Sequence, residues 1–202
     1  LTKAGSGSLT LSGTNTYSGG TTISGGTLTV TSDANLGDAA GSITLAGGTL
    51  AATNFTLTRA IVLNGGGTLS QVNTTFTVSG TISGSGGLTK SGAGRLILTG
   101  TNTYTGGTTI SQGPLRISAD ENLGNTSGGI TFAGGSLETT ATFSSARTIT
   151  MNSNGTINTA DGTTLTLSGG ISGSSRSLTK TGTGTLVLSG TNTYTGGTLL
   201  NG

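Results

Sequence analysis

Six side chains in this chain could do acid–base work: Asp33, Asp38, Asp120, Glu121, Glu138 and Asp161. A glycoside-cleaving site needs two such carboxyls facing one bond across a groove. Asp33 and Asp120, however, occupy one position of an internal repeat. At about 4.8 Å per stacked strand, roughly 19 Å separates them, too far for joint chemistry. Asp33 with Asp38, and Asp120 with Glu121, read as solvated turn residues. There is no histidine and no cysteine, which removes the usual metal ligands and most nucleophile–base pairs. The expectation is no catalytic site, no metal and no cofactor, hence no enzyme.

Other chemistry-bearing residues follow the repeat as well. Lys90-Ser91 could imitate a serine–lysine pair, but its counterparts are Lys3-Ala4 and Lys180-Thr181. The three lysines read as corner residues whose ammonium reaches water along an aliphatic stem. All three tyrosines, Tyr17, Tyr104 and Tyr194, close an Asn-Thr-Tyr triplet. The expectation is that they pack over a corner, with the Asn amide bonding turn backbone. The glycine-rich stretches contain neither phosphate-loop signature and precede no helix. Eight Lys and Arg against six Asp and Glu give a net charge of only +2 with no basic cluster, so nucleic acid is not an expected partner. Asn54 and Asn73 sit in glycosylation sequons, which Thr-rich sequence produces readily. Thr-x-Thr triplets suggest an ice-binding face, but their spacing does not recur on each turn.

The elements that must position these residues are legible in the repeats. Leu88–Ile110, LTKSGAGRLILTGTNTYTGGTTI, occurs nearly unchanged at Leu1–Ile23 and again from Leu178. Leu1 to Leu88 is 87 residues and Leu88 to Leu178 is 90. Between the copies, Asp33–Gly37 returns as Asp120–Gly124, and Gly41–Leu50 as Gly128–Leu137. Long self-similarity of this kind dictates the architecture. Within each unit, apolar–hydroxyl–apolar runs such as Leu9–Leu11, Thr27–Val30 and Phe76–Val78 have the two-residue period of half-buried strands. Glycine pairs separate the runs and supply corners. A helical turn is expected only at Asp33–Gly37, capped by Ser32 or Asp33. Following Leu28, Leu50, Leu69, Leu88 and Leu115 yields a finer period near twenty residues, the coil of a parallel β-solenoid. Pro114 lacks a ladder donor, so its strand is expected to start late.

The pattern LTK-x-G-x-G-x-L-x-L, followed by Gly-Thr-Asn-Thr-Tyr-x-Gly-Gly at 1–23 and 88–110, resembles the autotransporter-associated β-strand repeat, also called the passenger-associated transport repeat. The resemblance implies a right-handed parallel β-helix in the exported passenger region of a Gram-negative surface protein. It also implies help with passenger export through the outer membrane, and a stalk that presents adhesive or enzymatic parts.

The resulting expectation is one continuous all-β solenoid over 1–202. Repeat one spans 1–87, repeat two 88–177 and a partial third 178–202, with about four rungs per repeat. Both ends cut through repeats and no initiator methionine or signal peptide is present, so the chain reads as part of something longer. Its expected partners are the rest of the parent chain, including a C-terminal membrane barrel. No apolar run reaches the roughly 20 residues of a membrane helix. The expected role is an extracellular spacer on the bacterial cell surface. An adhesin that binds a glycan or protein through one face, and end-to-end self-association through unpaired strand edges, are the alternatives.

Overall fold

Alternating apolar and hydroxyl residues do form strands, and every strand pairs in parallel with one about twenty residues away. The computed structural model describes residues 1–202. It is a β-solenoid of about ten coils, with two 3₁₀ turns, Asp33–Leu36 and Asp120–Leu123, as its only helical pieces. Parallel pairing buries one face of each strand. The inward positions therefore stack into columns, each residue lying over its counterpart on the next coil.

One column runs Leu9, Leu28, Leu50, Leu69, Lys90, Ile110, Phe132 and Met151. A second runs Phe76, Leu96, Leu115, Leu137, Ile157, Lys180 and Leu200. Together with their neighbours they close one core of 33 buried apolar residues. Leu88 does not follow Leu69 in register, as the glycine spacing suggests. It pairs with Gly67, and Lys90 takes the place over Leu69.

Each coil has three sides. The strands Ile43–Ala52 and Ile61–Ser70 turn one corner without breaking, through a register shift at Ala46–Thr49 where Gly47 adopts φ 99°. Side one carries Thr2, Thr22, Thr44, Val62 and Ser83 in register. Thr89, the repeat counterpart of Thr2, stacks instead on Thr68 of side two. Thr179, the third counterpart, stacks on Thr156 of side three. The expected four rungs per repeat is therefore refined to about four and one-third. Each copy of the motif begins one side further round the rod.

Pro114 does not delay its strand. The strand Pro114–Ile117 starts where Thr27–Val30 starts in the first copy, with Pro114 over Ser136. Proline is tolerated as the first residue of a strand, where only one ladder donor is lost.

Candidate functional site

The polar residues that recur with the repeat meet inside the solenoid, in a module three coils deep. Its lower layer is the Asn-Thr-Tyr segment, whose backbone bonds the coils on both sides, Thr103 N to Ile82 O and Asn102 N to Glu121 O. Tyr104 is fully buried and its hydroxyl lies 2.6 Å from Thr108 Oγ1. Burial pushes its phenol up to about 12. Asn102 acts as an extra peptide link between coils. Its Oδ1 accepts from Ile82 N at 2.7 Å below, and its Nδ2 donates to Asn122 O at 2.6 Å above.

The middle layer is the 3₁₀ turn. Neither Ser32 nor Asp33 caps it through a side chain. The cap comes from within the turn, where Asn35 Oδ1 accepts from Thr31 N and Ser32 N, both at 2.9 Å. Asn122 does the same for Ser118 N and Ala119 N. Alanine at 119 is thus tolerated in the capping position. Gly37 and Gly124 end the turns at φ 74° and 81°. A Cβ on Gly124 would come 2.5 Å from Tyr104 O and 3.0 Å from its ring. Both backbone angle and space require glycine there.

The upper layer is a buried arginine that sequence reasoning missed. Arg147 donates from Nε to Asp120 Oδ1 at 2.9 Å. Its other nitrogens donate to the carbonyls of Asn125, Gly128, Asp120 and Gly124. Arg59 repeats this with Asp33, and also bonds the carbonyls of Leu36, Asp38, Gly41 and Gly37. A guanidinium with five donors is suited to gathering the carbonyls that a 3₁₀ turn leaves unpaired. The signal was present in the sequence, because Arg-x-Ile recurs at Arg59 and Arg147 in step with Asp33 and Asp120.

The lysines correct an expectation. Lys90 is fully buried rather than wet, and its Nζ donates to Ser91 O, Gly92 O and Gln112 O at 2.6–2.9 Å. Burial lowers it to about 8. Lys3 and Lys180 point inward in the same way. The reason is strand parity: Lys90 shares a face with Leu88, so its ammonium must satisfy the carbonyls of the corner.

The acids are held apart. Asp33 and Asp120 serve the arginines, Asp38 Oδ1 accepts from Ala40 N, and Asp161 accepts from Thr183 Oγ1. Glu138 sits between Arg95 and Arg116, 2.9 Å from each Nε. Burial works to raise Glu138, but hydrogen bonds from the two arginines outweigh it and keep its carboxyl below the usual range. No three potential metal-ligating side chains converge. Beside Arg95 lies one open cleft of about 600 Å³ lined by eight residues, one of them apolar. The two sequon residues Asn54 and Asn73 both line it.

Residues 1–30, 88–117 and 178–202 match the passenger-associated-transport-repeat family. Over 58 residues the chain is 52% identical to the adhesin BmaC autotransporter of Brucella suis biovar 1 (strain 1330), a match covering 29% of this chain and 2% of that protein. The matched stretch is thus a small part of the relative's length. No solved structure matches the chain.

Proposed function

The chain belongs to the passenger-associated transport repeat family of autotransporter passengers, and from that premise we propose that it is a non-catalytic spacer which also assists the export and folding of its passenger. It is an exported passenger repeat, of a secreted or cell-surface protein. The observation that carries the spacer reading is that each strand pairs only with the coils before and after it. Each added coil brings its own hydrogen bonds and core contacts, so stability accumulates along the axis. A chain emerging from a membrane can then fold as it appears, on the coil already formed. Turn and corner carbonyls satisfy the buried arginines and lysines inside the rod, and the outward strand positions carry hydroxyls such as Thr2, Thr22 and Thr44. Such a rod is suited to spacing a tip from a membrane.

The test is protease shaving of intact cells, followed by detection of peptides containing the NTYTGG stretch. Release without lysis is expected. Recovery only after lysis would overturn the surface role. Excising residues 1–87 from the full-length protein should shorten its reach by roughly 21 Å at 4.8 Å per coil while export continues.

A second reading, attachment through an outer face, is favoured by the printed name of the relative, an adhesin. The tyrosines do not supply such a face, since Tyr104 is buried and the others are partly covered.

A further inference from the structure

A repeat protein serves as its own alignment, because a residue that breaks the repeat is not needed by the coil. Arg95 stands where the other copies have Ser8 and Thr185, Arg116 where the first has Thr29, and Glu138 where it has Ala51. These departures fall together on side three, and Arg95 with Pro114, another departure, lines the cleft. Glu138 takes Arg95 Nε and Nη2, leaving Nη1 without a hydrogen bond. Two arginines against one glutamate leave this patch one positive charge, and no acid lines the cleft.

Unmet polar groups lie close to the cleft, one in the lining residue Thr74 and two in Gln71 behind the lining. Thr74 Oγ1 and both side-chain polar atoms of Gln71 are buried without partners. Gln71 is fully buried beneath Gly94, where an added Cβ would come 2.9 Å from Gln71 Cβ. Unpaired buried polar groups are costly and call for an explanation. The cleft is wide open, and its lining lacks the apolar anchor a peptide side chain would use. Amides and hydroxyls from Asn54, Asn73 and Thr75 match the hydroxyl edge of a sugar.

We propose that this cleft binds an acidic sugar residue of a glycan, with the carboxylate on Arg95 and the ring hydroxyls on Asn54, Asn73 and Thr75. A single half-committed guanidinium matches one carboxylate charge better than the two of a phosphate. The proposal gives a location to the attachment reading above and rests on it.

The test is titration of the ¹⁵N-labelled chain with digalacturonic acid and with sialyllactose, with lactose as the neutral control. Amide shifts centred on Asn54, Asn73 to Thr75 and Ala93 to Arg95 are expected from at least one acidic sugar and not from lactose. Arg95→Thr installs the residue that the third copy carries at Thr185, so it should fold with an unchanged circular dichroism spectrum and bind at least tenfold more weakly. Absence of shifts with both acidic sugars, equal shifts with lactose, or full binding by R95T would each overturn the proposal. Attachment of intact cells that persists with R95T would sink the cleft alone and leave the wider attachment reading standing.

Discussion

The middle and outer copies of the Asn-Thr-Tyr segment have the same residues and different surroundings. Asn102 is bonded to the coils on both sides. Asn15 reaches only upward, to Asn35 O, and Asn192 only downward, from Ile171 N. Tyr104 is fully buried, whereas Tyr17 and Tyr194 are partly covered. Lys3 and Lys90 each have three carbonyl acceptors, and Lys180 two. The asparagine and the tyrosine therefore reach their full contacts only when a coil lies on either side, whereas the lysine needs only the coil above, which supplies Gly25 O to Lys3 and Gln112 O to Lys90. Much of the stability belongs to the interface between coils rather than to the coil itself.

The sharpest way to break this contrast is to remove a buried cation from the middle. Arg147→Ala strands Asp120 and four carbonyls, and should cost about 3–5 kcal/mol in denaturant unfolding. Arg116→Ala, on the half-exposed pair with Glu138, should cost no more than about 1 kcal/mol. Equal losses would mean that the buried hub adds nothing beyond its charge. Next, Lys90→Met should destabilise by about 2 kcal/mol through unsatisfied corner carbonyls, and Lys180→Met by clearly less.

Lysine 90 also makes a pH prediction. Its folded value of about 8 lies below the ordinary 10.5. Between those values the unfolded chain binds the extra proton, so stability must rise with pH across that window. Compared with K90M, the wild-type protein should gain thermal midpoint from pH 8 to 10. A loss over that range would show that the corner carbonyls hold the ammonium charged. Tyr104→Phe should cost about 1 kcal/mol for the hydrogen bond to Thr108. Tyr194→Phe should cost only a fraction of that, because water replaces the bond where the hydroxyl is exposed.

Much of the architecture was legible in the residues. Near-identical copies at Leu1, Leu88 and Leu178, apolar–hydroxyl alternation and glycine corners leave a parallel solenoid as the arrangement that buries the apolar face. Even the inward lysine was readable, since Lys90 lies two residues from Leu88 and so on the same face of the strand. Charge argued for solvent and strand parity for the core, and the corner carbonyls decided in favour of parity.

The cleft was not legible, because its residues come from corners of successive coils that meet only after stacking. The one-third coil left over in each repeat was hidden for the same reason. A period along the chain counts residues, while the side on which a motif lands depends on the register each strand takes over the one before. Local pattern thus determined the strand, the coil and the match to the transport repeat. Inter-coil hydrogen bonding decided which way each copy faces and which polar side chains are sealed inside.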